Sequence, residues 1–274
     1  MTGEVDVDAY FRRIGYQGGR EPTLDTLRAL HARHPEAIPF ENLNPLLKRP
    51  VPIDTPSLER KLVREGRGGY CYEHNLLFLA VLKALGFAAS GLAARVVWNA
   101  PGGVPTGRTH VVLRVELDGV THVADVGFGG QTLTGPLRLE TDVEQTTPHE
   151  PFRLVRAGAE FRLESKIRGE WKPLYLFDLQ EQFMRDYEVG NWYVSTYPGT
   201  IFVNGLFAAR TVPGRRYALL NNEMAVHNLN AGTERHVFTD ASELRDALTE
   251  TFHITLPDDP NLDTVLTRLT AQRE

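Results

Sequence analysis

Residues Thr109 to Val126 read THVVLRVELDGVTHVADV. Two β-type runs flank Asp118-Gly119, a strong signal for a two-residue hairpin loop, because Asp-Gly suits the type I′ turn, whose two central residues have positive φ. With that pair as the loop, Leu117 faces Val120, Val112 faces Asp125 and His110 faces Gly127. His110 and Asp125 then share one sheet face as diagonal neighbours, roughly 7–8 Å apart along the backbone, and their side chains can meet. The opposite face, Thr109, Val111, Leu113, Val115 and Leu117 against Val120, His122, Ala124 and Val126, is mostly apolar and is the expected core side. His110 and Asp125 lie off it, so a wetted face shared with Arg114 and Glu116 is the alternative to a functional pair. Both residues sit at the hairpin end away from the turn. There the chain enters Gly127-Phe128-Gly129-Gly130, backbone that a ligand can approach closely.

Around this hairpin lie further short β-type runs, AARVVW from Ala93, FRLVRA from Phe152 and EFRLESKI from Glu160, separated by Gly, Pro and Asp-Gly signals. They predict an antiparallel sheet or small barrel. Before about residue 90 the apolar period is helical. Thr23 can cap a helix from Leu24 to His34, with Leu24, Leu27 and Leu30 as one stripe; Thr55 followed by Pro56 starts a second helix that Gly66 stops. Ile38 to Leu43 reads as loop. A third helix begins near Cys71 and runs through LLFLAVLKAL to a stop at Gly86, which puts Cys71 in its first turn. From about residue 191 strands such as Thr200 to Val203 and Arg216 to Leu220 mix with helices starting near Asp240 and Asp263. The pattern divides the chain into three regions, 1–90 helical, 91–190 sheet and 191–274 mixed, with no flexible linker between them.

Composition narrows the function. The 274 residues are 42% hydrophobic and 24% charged with a net charge of −5, an ordinary globular balance without the basic footprint of a nucleic-acid binder. The longest apolar stretch, Leu76 to Leu82, falls far short of the roughly 20 residues that span a bilayer. The N-terminus, MTGEVDVDAYFRR, lacks the layout of a secretory signal, so a cytoplasmic location is expected. The single cysteine, Cys71, excludes an internal disulfide and a four-cysteine zinc site. No phosphate-binding G-x-x-x-x-G-K-[ST] loop and no HExxH motif is present. Cys71 and His74 have a ligand-like spacing but no marked further ligands, and no metal is expected.

Cys71 follows two glycines and opens an apolar helix, where free backbone N–H groups and the helix dipole favour an anion, and a thiolate is a nucleophile. A lone intracellular cysteine also fits a small buried hydrophobe. A cysteine nucleophile needs a base within reach and a third group to orient that base. The hairpin supplies one His and carboxylate brought together by local pairing. The other eight histidines have no such partner and are expected to be surface or structural.

The segment Arg67-Gly68-Gly69-Tyr70-Cys71-Tyr72-Glu73-His74-Asn75, with Ile38 to Leu43 before it and Thr109-His110 and Asp125 to Gly129 after it, resembles the arylamine N-acetyltransferases. The spacings agree, 39 residues from Cys71 to His110 and 15 from His110 to Asp125, as does the later Asn191-x-x-x-Ser195-Thr196-x-Pro198 with Phe202. Tyr197 departs from the pattern, standing where His is frequent in that family.

The resemblance implies an α+β fold with a cysteine-protease or transglutaminase-like core: an N-terminal helical bundle, a central antiparallel β-barrel and a C-terminal α/β lid. It implies Cys71, His110 and Asp125 as a triad that passes the acetyl group of acetyl-coenzyme A to an arylamine, arylhydrazine or N-hydroxyarylamine. Transfer would be ping-pong through an acetyl-cysteine. Phe40, Val96, Thr109, Phe128 and Phe202 would line the acyl and acceptor pocket, and Trp98, Gly129 and Gly130 would face the coenzyme. No metal, nucleic acid or membrane is implied, and a homodimer is left open. Oxyanion donors are expected from the Cys71 amide and one amide of the Gly127–Gly129 turn. Arg95 or Arg108 could meet coenzyme phosphates, while Arg67 and Glu41 are expected to form an ion pair that scaffolds the Cys71 loop. Three other readings stay open. One is an amide synthase drawing its acyl group from a carrier protein, the second a cysteine hydrolase with the same triad, and the third a binding module without catalysis.

Overall fold

Asp6 and Thr23 begin the first two helices by accepting hydrogen bonds from the N–H groups of Ala9 at 2.9 Å and Thr26 at 3.2 Å. These helices are α1 (Val7–Ile14) and α2 (Leu24–Ala37). They belong to a computed structural model that describes residues 4–100, 106–229 and 231–271. The cap at Thr23 is the one the sequence predicts. Past the predicted end at His34, α2 continues through Pro35 to Ala37 and closes with Ile38 N donating to His34 O at 2.8 Å, although Pro35 has no N–H to give the His31 carbonyl.

Phe40–Glu41 is a two-residue strand (β1) rather than loop, paired with residues Ala208 and Ala209, a partner too distant in sequence for local pattern to reveal. After α3 (Leu43–Leu46) comes α4 (Thr55–Leu58), extended by a π-turn over Glu59–Arg64. Its cap is Asp54, whose carboxylate accepts from Ser57 N at 3.0 Å, and not the predicted Thr55. The next helix, α5 (Cys71–Ala84), starts and stops where the sequence places it. Every residue from Cys71 to Phe78 is buried, the mark of a helix enclosed on all sides.

The barrel sheet comes next: β2 (Ala88–Val96), β3 (Arg108–Leu117), β4 (Val120–Ala124), β5 (Leu137–Arg138), β6 (Phe152–Ala157), β7 (Glu160–Ile167) and β8 (Glu170–Glu181). The order is β5-β4-β3-β2-β8-β7-β6, and bridges from Thr141 to Leu154 and Gln145 to Phe152 nearly close it. In the β3–β4 hairpin Leu117 pairs with Val120 and Leu113 with Ala124, the predicted register, and Asp118 and Gly119 both have positive φ, 49° and 76°. The ladder stops at Ala124, so Asp125 leaves the strand with its side-chain direction already set. Local pattern does not announce β8, because Pro173 interrupts the run; it sits opposite Glu164 where the register shifts.

The C-terminal part comprises α6 (Met184–Thr196), α7 (Ile201–Asn204), β9 (Phe207–Val212), β10 (Arg215–Leu220), β11 (Glu223–Asn228), β12 (Gly232–Val237), α8 (Ala241–Asp246) and α9 (Leu262–Ala271). Its sheet runs β1-β9-β10-β11-β12. The expected strand at Thr200 to Val203 is instead the start of α7. Asn42 clamps it, its Nδ2 donating to the carbonyls of Phe202 at 2.8 Å and Gly205 at 2.7 Å.

The core forms three clusters. Val111, Leu113, Val115 and Leu117 of β3 join the helical cluster around α5, whereas Val112 joins the barrel interior with Val123 and Phe177. Both faces of β3 are therefore covered at its start. His110 is 3% exposed and Asp125 0%, and only Arg114 and Glu116, nearer the turn, keep a wetted character. No helix among the described residues is long and apolar enough to cross a membrane.

Candidate active site

Cys71 is the first residue of α5 and 5% exposed. Tyr70 N donates to Glu73 Oε2 at 3.1 Å, which fixes the helix entry, and the Cys71 Sγ–H points at Thr109 O, 3.6 Å away on β3. That contact lays the thiol beside the strand carrying His110.

His110 Nε2 and Asp125 Oδ2 are 2.7 Å apart in a buried site, leaving Nδ1 as the ring nitrogen for Cys71. Burial opposes charge on this imidazole. The Asp125 carboxylate and the neighbouring Cys71 sulfur outweigh it and raise the His110 pKa to about 10. Asp125 itself is held below the usual carboxylate range: burial works against it, and His110, Asn75 and the Gly127 amide prevail. Its Oδ1 accepts from Asn75 Nδ2 at 2.9 Å and Gly127 N at 2.9 Å. The geometry thus brings the three expected residues into one buried cluster, with a charged imidazole between the carboxylate and the sulfur.

Asn75, one helical turn after Cys71, also donates to Val111 O at 2.8 Å and accepts from Val126 N at 3.0 Å. It pins the hairpin's open end to the helix bearing the thiol. Four-residue spacing on one helix face could have flagged it. Gly127 packs so closely that an added Cβ would stand 2.9 Å from His74 Cβ and 3.2 Å from Cys71 Cα. The Gly127 amide bonds Asp125 and the Phe128 amide bonds Thr132 Oγ1 at 3.2 Å, so of the three amides in this turn, one of which is expected as an oxyanion donor, two are already committed.

Of the expected pocket residues, Phe128 meets His110 edge to face at 5.2 Å. Phe40 lies 6.0 Å from Phe202, and Phe202 lies 5.5 Å from Tyr70, making an aromatic cluster on the lid side of Cys71. Thr109 contributes its carbonyl as above, and Val96 pairs with Tyr175. Trp98 packs partly buried on the barrel core, while Gly129 and Gly130 form a 3₁₀ turn with β10 beside it. Arg108 is ion-paired with Asp178 at 2.6 Å and Glu160 at 3.4 Å, whereas Arg95 donates to the Thr106 carbonyl, a neutral acceptor that leaves its charge uncompensated among the described residues. No local signal marks Tyr175, on the unpredicted β8. Its ring lies 5.0 Å from that of His110, and burial first, then the Asp125 charge, pushes its pKa above the usual tyrosine value.

Beneath Cys71 lies the expected scaffold. Arg67 donates to Glu41 Oε1 through Nε at 3.0 Å and Nη2 at 2.7 Å, and Lys61 donates to Glu73 Oε1 at 2.6 Å. Burial penalises the Glu41 charge, but Lys61 and Arg67 hold its pKa below the usual range. His74 takes no part in a ligand set. Its Nε2 is 3.1 Å from Pro39 O and its Nδ1 2.9 Å from His34 Nε2, whose Nδ1 is 2.8 Å from the Tyr10 hydroxyl. Read in one direction, Tyr10 donates to His34, His34 to His74 and His74 to Pro39, with both rings neutral. Burial lowers the His74 pKa to about 4. Among the described residues no group of three or more His, Cys, Asp or Glu could hold a metal ion.

The N-acetyltransferase family model matches residues 23–260. The arylamine N-acetyltransferase of Mycolicibacterium smegmatis is 46% identical over 258 residues, 93% of this chain and 94% of that one. Among solved structures, the arylamine N-acetyltransferase of M. tuberculosis superposes with a TM-score of 0.93 at 43% identity, covering 96% of this chain and all of that one. The Mycobacterium marinum enzyme in complex with CoA superposes with a TM-score of 0.92 at 42% identity, covering 96% of this chain and 99% of that one.

Proposed function

The chain belongs to the arylamine N-acetyltransferase family, and on that premise we propose that it moves the acetyl group of acetyl-coenzyme A to an arylamine, arylhydrazine or N-hydroxyarylamine through an acetyl thioester on Cys71. The observation that carries the reading is the 2.7 Å contact between His110 and Asp125 beside a thiol at a helix start. It supports a Cys71 thiolate paired with a His110 imidazolium.

In the first half-reaction Sγ attacks the acetyl carbonyl, the bond to the coenzyme sulfur breaks, and His110 gives its Nδ1 proton to that leaving thiolate. In the second, the acceptor nitrogen, or the oxygen of a hydroxylamine, attacks the thioester. His110 takes its proton and Cys71 departs as thiolate. Asp125 keeps the ring oriented and its cation stabilised in both. The tetrahedral oxyanion would be met by the Cys71 amide and, with the Gly127 and Phe128 amides committed, the Gly129 amide.

Phe40, Val96, Thr109, Phe128 and Phe202 would seat the acyl group and the acceptor ring, and Trp98, Gly129 and Gly130 the coenzyme. Residues 1–90 would supply the nucleophile, 91–190 the imidazole and carboxylate, and 191–274 the cover. A lone free thiol suits the reducing cytoplasm, where we place the activity.

The test is acetyl-coenzyme A consumption with and without a panel of aromatic amines and hydrazines, on wild type and Cys71→Ala. Amine-dependent turnover that vanishes in the variant, with an acetyl adduct on the wild-type protein by intact mass, is the expected result. Equal turnover in both proteins rejects the reading.

A further inference from the structure

Arg216 on β10 is 1% exposed, the largest fully buried side chain among the described residues, and it lies outside the cluster around Cys71. Its Nε donates to Glu150 at 2.9 Å, and Nη2 stands 2.8 Å from the same carboxylate as an ion-pair contact without hydrogen-bond alignment. Its Nη1 donates to Thr132 O at 3.0 Å and reaches Gly130 O and Thr211 Oγ1 at 3.4 Å each. Thr132 in turn closes the loop that begins at Asp125. Its hydroxyl donates to Asp125 O and accepts from Phe128 N, both at 3.2 Å, and its amide donates to Gly129 O at 3.1 Å. Ala218, two residues along β10, presses the same turn, 3.5 Å from where a Cβ on Gly130 would lie.

A buried guanidinium–carboxylate pair contributes little net stability, because desolvation consumes most of its attraction; it supplies instead a single geometry. Here that geometry is the path of residues 125–132, which carry the Asp125 carboxylate at one end and press the Phe128 ring on His110 in the middle. We propose that Arg216, held by Glu150 and acting through Thr132, is a positioning residue by which the C-terminal sheet fixes the Asp125–Thr132 loop against His110 and so sets the rate at which Cys71 is acylated. The inference rests on the acyl-cysteine reading of the site.

The experiment is single-turnover acylation by p-nitrophenyl acetate, with reactive sites counted by stoichiometric iodoacetamide alkylation. It compares wild type, Arg216→Met, Thr132→Val, Thr132→Ser and Cys71→Ala. In Arg216→Met and Thr132→Val the maximal acylation rate per site should fall about tenfold or more, with the half-saturating ester concentration within about twofold of wild type. Thr132→Ser, which keeps the hydroxyl, should recover most of the rate. A merely structural role would lower the melting temperature and the number of alkylatable sites while leaving the rate per site unchanged, and that outcome overturns the proposal. If Arg216→Met does not fold, the Thr132 pair decides alone, and Thr132→Val at wild-type rate per site is fatal to it. Burst acylation that survives in Cys71→Ala rejects the acyl-cysteine reading itself, and loss there with no effect at Thr132 rejects only the present inference.

Discussion

Replacing Asp125 by Asn exchanges one carboxylate oxygen for an NH₂ group, and the surrounding hydrogen bonds dictate how the new amide must sit. Oδ1 receives two donors that cannot become acceptors, Asn75 Nδ2 and Gly127 N, each at 2.9 Å. The amide oxygen of Asn must therefore stay with them, which turns its NH₂ toward His110 Nε2, 2.7 Å away in the wild type. Two donors cannot face each other, so the ring must carry its proton on Nδ1 and loses the lone pair that would accept a proton from Cys71. Charge acts in the same direction. Asp125 is the leading contribution that lifts His110 to about 10 against burial; without it the ring keeps only the Cys71 sulfur against burial and its pKa should fall toward the ordinary value of about 6.5. At roughly 1.4 kcal/mol per tenfold, that removes on the order of 5 kcal/mol of imidazolium stabilisation and predicts an acylation rate lower by about 10³ or more. An Asp-to-Asn exchange in a hydrolase triad costs a comparable 10⁴, approximately. The assay is single-turnover acetylation of Asp125→Asn near neutral pH, with iodoacetamide alkylation followed against pH. The variant should alkylate slowly at neutral pH and faster as the pH is raised. Acetylation within about tenfold of wild type would refute this account of the site.

Gly127→Ala forces a Cβ to 2.9 Å from His74 Cβ and 3.2 Å from Cys71 Cα, so it should cost about 1–3 kcal/mol in urea melts and slow acylation together. Arg67→Met leaves the buried Glu41 carboxylate with the Leu43 amide at 2.6 Å and Lys61 at 3.8 Å as its remaining partners, and a loss of about 3–5 kcal/mol is expected, with Arg67→Met/Glu41→Gln losing less; equal losses in single and double variants would contradict the pairing. Burial lowers His31 and His74 to about 4, below their unfolded value, so the unfolded chain binds more protons as pH drops. Their contribution is complete above about 6.5 and is lost on acidification toward 4, up to about 3 kcal/mol each. Equilibrium unfolding should show stability falling through that window, and a flat profile would count against buried neutral rings.

Where local chemistry dictates structure, the sequence was legible. Asp118-Gly119 set the hairpin register to the residue, and the glycines before Cys71 placed it at a helix start. The same register made His110 and Asp125 neighbours, and the motif resemblance then added the thiol to them. Elements stabilised by distant partners left no such trace. β1 is held by Ala208 and Ala209 on one side and by a bridge from Phe40 to Gly69 on the other, and Asn42 clamps the carbonyls at and just beyond the end of α7. Pro173 hid β8, and with it Tyr175 beside His110. The wetted face was a fair alternative from the hairpin alone. It fails because β8 and the Phe128 loop cover the end that carries His110, which alternation within a single hairpin cannot reveal.

Strand β3 stands as a party wall between two interiors, lending Val111, Leu113, Val115 and Leu117 to the helices and Val112 to the barrel. Cutting the chain between residues 90 and 108 would strip the first half of one side of its own core and leave the second with a bare apolar seam. Neither half should survive alone, and thermal melts should show loss of the barrel and of the helices around Cys71 as a single event. Insertions at the Asp118-Gly119 tip, which projects beyond both interiors, should by contrast be tolerated, provided they leave the pairing of Leu117 with Val120 in place.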